Sequence, residues 1–275
     1  GQTIEFRFVL EADDSNTESG WWIDDIAIEN NVTPVYTIGF TDNMEFGADN
    51  WLPGGNWTIS GERTRSGAGA WTDSPGSNYP VWSNAVLELN GIVNLNVPEC
   101  VDPELVFYSS WALGTNDRIY VETSTDRVSW VSLTEDRPLD ALQSESQNNV
   151  FIREAISLGS CTRAPFYLRF RLQADNNQEL DGWYIDDIAI QNHPTGTLPY
   201  PFFDNMETGG TNWLPDGEWA ISPEEAYSGS SSWSDSPGKE YTHGSNSSLQ
   251  TILPFLMTSS AATNPELSFW HMRDL

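Results

Sequence analysis

Acidic side chains at two fixed places carry the clearest chemistry in this sequence. Asp42, Asn43 and Glu45 open one segment and return as Asp204, Asn205 and Glu207. Asp186 and Asp187 close it within Gly182-Trp183-Tyr184-Ile185-Asp186-Asp187-Ile188-Ala189-Ile190, a stretch that occurs earlier as Gly20-Trp21-Trp22-Ile23-Asp24-Asp25-Ile26-Ala27-Ile28. On a strand, alternation puts Ile185, Asp187 and Ala189 on one face and Tyr184, Asp186, Ile188 and Ile190 on the other. Whichever face is buried takes a carboxylate with it, at a cost of several kcal/mol unless that group is paired or ligates a metal. Hard oxygen donors of this kind suit Ca²⁺, which takes about 6–8 oxygens from carboxylates, amides and carbonyls. The expectation is one structural Ca²⁺ site formed by Asp42, Asn43, Glu45, Asp186 and Asp187, joining the first and last strands. The competing account is an Asp–Arg pair within the sheet, since Arg7 and Arg169 recur on the strand before each Asp-Asp pair.

Catalytic chemistry finds no such support. There is no HExxH zinc helix, no GxSxG elbow, no phosphate-cradling glycine loop and no CxxC pair. His193, His243 and His271 have no histidine at the equivalent earlier positions, which hold Asn31, Val81 and Ser109. The chain therefore reads as a non-enzyme. Trp51, Trp57 and Trp71 return as Trp213, Trp219 and Trp233 and read as core. Trp82, beside Pro80 and not repeated, is the candidate exposed ligand aromatic. WTDSPGSNY (71–79) reads as a structural turn, with an ion site or ligand loop as the alternative.

The elements that must position these residues are strands. Aromatic and β-branched runs separated by Gly, Pro, Asn, Asp and Ser clusters predict Leu105–Trp111, Arg118–Thr123, Ser129–Leu133, Phe166–Gln173 and Trp183–Ile190. Leu168, Phe170 and Leu172 alternate with Arg169, Arg171 and Gln173, the period of a half-buried antiparallel strand. Pro138–Gln147 reads as a short helix or a loop. Strands with one apolar face pair into two sheets, so the expected fold is an all-β antiparallel sandwich of jelly-roll type.

The equivalences above share one offset, 162 residues, and from Phe40 to Tyr79 23 of 40 residues are identical to those 162 later. The expected organisation is the end of one module at 1–30, a complete module at 35–192 and the first half of a third at 199–275. The simplest reading is a window cut from a longer protein. The linker at 193–201 carries three prolines and is expected to be semi-rigid.

Forty acids oppose twelve bases, of which only Lys239 is lysine, for a formal charge of −28. Such a surface excludes nucleic acid, whose phosphates need a basic footprint. It fits a saline habitat or bound divalent cations, which can hold together. No apolar run reaches the roughly 18 residues of a membrane helix. Cys100 and Cys161 both lie in the complete module, ahead of predicted strands. A disulfide in an oxidising compartment is the favoured reading and two unrelated thiols the alternative.

The order FTDNMEFGADNW (40–51), SGAGAWTDSPGSNY (66–79), PELVFYSSW (103–111), DRIYVETSTDRVSW (117–130) and YLRFRLQADNNQELDGWYIDDIAI (167–190) resembles the MAM-like modules of immune inhibitor A-type secreted bacterial peptidases and related surface proteins. The resemblance implies a jelly-roll accessory domain rather than the peptidase. Its relatives imply a calcium held between Glu45 and Asp187 or Asp186. Arg127-Val128 stand where the family's STDGG turn has glycines. The resulting expectation is a non-catalytic, extracellular, calcium-stabilised tandem module for adhesion, binding or spacing in a secreted or surface bacterial protein. Its partners are expected to be neighbouring modules and surface or matrix polysaccharide or protein. The alternative is a carbohydrate-binding module targeting an appended hydrolase or peptidase, marked by a strip of exposed aromatics.

Overall fold

The computed structural model describes residues 5–11, 21–23, 26, 32–134, 150–241, 247–257 and 262–273. Every regular element among them is a β-strand. None of them forms a helix long and apolar enough to cross a membrane. The segment Pro138–Gln147 and the earlier Asp24-Asp25 pair lie outside the described residues.

Among the described residues between Val35 and Asn192 lie thirteen strands: β1 (Val35–Tyr36), β2 (Phe40–Asp42), β3 (Trp51–Pro53), β4 (Thr58–Ser60), β5 (Ala70–Thr72), β6 (Asn84–Leu89), β7 (Ile92–Val93), β8 (Pro103–Ala112), β9 (Arg118–Ser124), β10 (Val131–Ser132), β11 (Ile152–Ser157), β12 (Tyr167–Gln173) and β13 (Gly182–Asn192). They form a five-stranded sheet, β10-β9-β12-β6-β3, and a six-stranded sheet, β11-β8-β13-β5-β4, with β2 also paired to β13. Their pairings are antiparallel; only the short β1–β7 pair is parallel. Apart from the β4–β5 and β9–β10 hairpins, successive strands of the two large sheets pass from one to the other, the wrapping of a jelly roll.

Alternation drives this arrangement. Leu168, Phe170 and Leu172 on β12, Ile119 and Val121 on β9, and Ala85, Leu87 and Leu89 on β6 all turn into one core. Trp71, Trp111, Trp183 and Phe107 meet them from the other sheet, each at 1% exposure or less. Trp51, Trp57 and Trp71 are buried at 3%, 4% and 1%, as core residues. Phe170 makes ring contacts with Trp51, Phe107 and Trp183 at centroid separations of 5.7, 5.1 and 5.6 Å.

Beyond the linker lie β14 (Trp213–Pro215), β15 (Ala220–Ser222), β16 (Ser232–Ser234) and β17 (Leu249–Thr251). Trp213 pairs with Thr251 and Ala220 with Ser234, as Trp51 pairs with Leu89 and Thr58 with Thr72 162 residues earlier. Residues 1–32 form a separate unit, whose described residues contain no strand; there Phe8 meets Trp21 edge-on, ring centroids 5.9 Å apart.

Cys100 and Cys161 are bonded, with Cα atoms 5.8 Å apart across 61 residues of sequence. The bond ties the approach to β8 to the approach to β12. Chain-entropy arguments give a loop of this length about 4 kcal/mol of stabilisation. Replacing both cysteines with serine is expected to lower unfolding free energy by about that amount, read from denaturant midpoints and slopes fitted separately for each variant. No loss would mean that the unfolded chain gains nothing from the cross-link.

Candidate functional site

Strand β13 changes partner at its Asp-Asp pair. Tyr184 and Ile185 pair with β5, while Ile188, Ala189 and Ile190 pair with β2. On the other edge its register to β8 shifts between Asp186 and Ala189, and Asp187 adopts φ 49°. This bulge breaks the strict alternation expected from the sequence. Ile185, Ile188 and Ile190 all enter the core, because the extra residue resets the phase.

The β4–β5 hairpin loop fills the gap so created. Asp186, fully buried, accepts the Arg65 and Ser66 N–H groups through Oδ2 at 2.8 and 3.1 Å and the Asp187 N–H through Oδ1 at 2.7 Å. Asp187 accepts the Ser66 hydroxyl at 2.8 Å and Arg65 Nη1 at 3.1 Å. Glu45 reaches the same loop from the start of the module, its Oε1 accepting the Ala68 and Gly69 N–H groups at 2.8 and 2.9 Å. Gly67, at φ 59°, lets the loop close here, since a Cβ would run into the Glu45 carboxylate.

Three of the five expected ligand residues, Glu45, Asp186 and Asp187, thus converge on residues 65–69. Asp42 and Asn43 do not join them. Asp42 holds the Met44 N–H with one oxygen and Asn50 Nδ2 and Trp51 Nε1 with the other. The Asn43 Oδ1 accepts the Glu45 N–H of its own turn at 3.4 Å. Among the described residues, no group of three or more His, Cys, Asp or Glu is arranged to hold a metal. The arginine that meets Asp187 is Arg65, from the loop, and not Arg169, which bonds Glu122 at 2.6 Å.

The WTDSPGSNY loop works as a structural turn at the other end of β13. Asp73, 1% exposed, accepts the Trp183 N–H at 2.6 Å, and Ser74 Oγ donates to the Asp181 carbonyl. The Tyr79 hydroxyl donates to Asp117 at 2.5 Å, and the Tyr79 N–H to the Leu180 carbonyl. A Cβ on Gly182 would collide with Asp73 and Ser74, which gives the glycine of GWYIDDI a physical cause.

A second cluster lies on the outward face of the five-stranded sheet. Register places Arg169 between Glu122 and Glu88, and Arg171 between Tyr120 and Val86. Arg169 Nε and Arg171 Nε and Nη2 converge on the Glu122 carboxylate at 2.6, 3.0 and 2.7 Å. Burial opposes the charge of Glu122, but the hydrogen bonds and charges of Arg171 and Arg169 outweigh it and hold its pKa below the usual range. Each guanidinium lies over a ring: Arg169 over Trp130 at 3.9 Å, Arg171 over Tyr120 at 4.3 Å and Arg127 over Tyr167 at 5.1 Å. The Arg127 Nε also forms an ion pair with Glu88 at 2.8 Å. Chemically this is a pre-ordered surface of rings, fixed donors and paired charge. The sequence reading missed it, although Arg169, Arg171 and Gln173 had been placed on a polar face.

Trp82, two residues before β6 begins, is 69% exposed; its backbone N–H donates to the Asp175 carbonyl. A shallow cleft of about 430 Å³ runs beside the β2–β13 pairing, lined by Asp42, Asn43, Phe46, Asp49 and Asp187 among others.

No family model matches this chain, and neither does any curated protein. The MAM-like resemblance therefore rests on its motifs alone. Similar solved structures include a family 61 carbohydrate-binding module, TmCBM61, in complex with beta-1,4-galactotriose, at 14% identity and TM-score 0.35, covering 55% of this chain and 94% of that one. Another is the CBM22-1 xylan-binding domain of Paenibacillus barcinonensis Xyn10C, at 12% identity and TM-score 0.34, covering 55% and 92%. The CBM22-1-CBM22-2 tandem of the same protein aligns at 13% identity and TM-score 0.33, covering 70% of this chain and 59% of that one.

Asp73 generates a pH prediction. Burial, opposed chiefly by the Trp183 N–H, pushes its carboxyl up to about 7 from 3.8. The fold therefore favours the protonated acid, so its cost is absent below about pH 3.8 and grows until about pH 7. Asp73→Asn should gain stability relative to the parent across that interval, measured by denaturant midpoints at pH 4 and 8. A difference independent of pH would refute the assignment.

Proposed function

We propose that the complete module is a non-catalytic, extracellular binding module whose ligand is polysaccharide, taken on the outward face of the five-stranded sheet. The observation that carries this is the ring-and-guanidinium array of Tyr120, Trp130, Tyr167, Arg169 and Arg171 around Glu122. A sugar ring offers C–H faces that pack on aromatic rings and hydroxyls that need fixed polar partners. The array supplies both, and its side chains are held in place before any ligand arrives, which reduces the ordering cost of binding. Repetition of the module fits a multivalent arrangement, in which a second copy raises avidity without new contacts.

The test is binding of the whole chain to a polysaccharide panel by affinity electrophoresis and calorimetry. Tyr120→Ala and Trp130→Ala should each weaken binding about tenfold, the scale of an aromatic anchor, with the melting temperature retained. Equal binding by the parent and both variants would remove this face as the site.

Calcium at the β13 bulge belongs to the same proposal as a structural ion. Glu45, Asp186 and Asp187 meet one loop, of whose two arginines Arg65 bonds Asp187 while Arg63 is taken by Asp181, and burial together with the Asp187 charge pushes Asp186 up to about 6. A cation at that junction would relieve the repulsion, held by Glu45 and Asp187 with backbone carbonyls, since Ca²⁺ accepts such mixed oxygen sets. Millimolar calcium should raise the melting temperature, and Asp187→Ala should abolish the rise. A melt indifferent to calcium would leave the Asp187–Arg65 pair and the loop hydrogen bonds as the whole device.

A further inference from the structure

In a chain with twelve bases and a charge of −28, positive charge is scarce, and its distribution is informative. Four arginines lie on or beside the outward face of the five-stranded sheet: Arg118, Arg169 and Arg171 on its strands and Arg127 in the β9–β10 loop. Among the described residues, the acids of these strands and of that loop are Glu88, Glu122 and Asp126. Each is engaged locally. Glu122 takes two arginines, Glu88 takes Arg127, and Asp126 Oδ1 accepts the Ser124 hydroxyl and the Val128 and Ser129 N–H groups. Around the Glu122 carboxylate itself, two guanidinium groups meet one acid.

Arg169 is the informative residue. It gives Glu122 only its Nε, while Arg171 gives both Nε and Nη2. The two Nη atoms of Arg169 make no hydrogen bond among the described residues. Such a fork matches the paired oxygens of a carboxylate or sulfate, and stacking on Trp130 holds it flat.

We propose that the polysaccharide taken by this face is anionic, its carboxylate or sulfate bound by the Arg169 guanidinium while a sugar ring lies against the neighbouring aromatics. This rests on the polysaccharide-binding reading and adds the class of ligand to it. The shared chemistry is a planar or tetrahedral oxyanion on a sugar; uronic acids and sulfate esters are its two sources.

The experiment compares the whole chain, at 0.15 M salt, on four polymers: polygalacturonate, a sulfated galactan, neutral galactan and xylan. At least one anionic polymer should bind ten or more times tighter than either neutral one, and which of the two does so identifies the oxyanion. Arg169→Gln should cut the anionic-to-neutral affinity ratio about tenfold, and Arg169→Lys should restore part of it. Should Arg169→Gln fail to melt cooperatively, Arg127→Gln on the exposed rim is expected to lower the same ratio. Equal or tighter binding of a neutral polymer, or a ratio untouched by both substitutions, overturns the anionic assignment and leaves polysaccharide binding standing. Binding to none of the four overturns both.

Discussion

One strand constrains the rest of the molecule. β12 sits in the middle of the five-stranded sheet, and its alternation sends Leu168, Phe170 and Leu172 inward and Tyr167, Arg169 and Arg171 outward. Phe170 alone contacts rings from β3, β8 and β13, so it locks both sheets to one register. A slip of one residue would bury two guanidinium groups and expose three core side chains. The penalty for that slip is what fixes the outward array. Core and binding face are therefore two consequences of a single alternation.

The acids serve the fold by a different route. A sandwich with many long connections has to satisfy loop N–H groups that no strand will pair. Here carboxylates do so: Glu45 and Asp186 hold the β4–β5 loop, Asp73 holds the start of β13, and Asp117 holds Tyr79 and the Asp175 N–H. The Asp42 bonds to Met44, Asn50 and Trp51 recur at Asp204 with Met206, Asn212 and Trp213, and Glu207 repeats the grip of Glu45 through Ser230 and Ser231. These acids recur because each closes a loop, whether or not an ion joins some of them.

Much of the fold was legible in the residues. Alternation on β12 and composition on β9 marked real strands within a residue or two, and Trp51, Trp57 and Trp71 proved to be core. The cysteine pair, left open between a bond and two thiols, is bonded. What failed had a common cause: local period carries no information about which distant loop faces a strand. The bulge at Asp186-Asp187 resets the period, so strict alternation misassigned the faces beyond it. Arg65 rather than Arg169 reaches Asp187 because the β4–β5 loop folds into the gap, a contact across more than a hundred residues. The Arg-aromatic face escaped notice for the same reason. Tyr120 and Arg171 are partners only through the β9–β12 pairing, and Trp130 joins them from a loop. The available signal was three polar outward positions on β12, two of them arginine, in a chain poor in bases.

The central claim is that ligand contacts the outward face of the five-stranded sheet. Its most direct test is to titrate isotopically labelled protein with soluble oligosaccharides of the tightest-binding polymer and map the shifted NMR signals. The account predicts that Tyr120, Trp130, Tyr167 and the Arg169 and Arg171 side chains move together, with β13 and the cleft around Phe46 unchanged. Shifts confined to that cleft, or to the loop around Trp82, would contradict it.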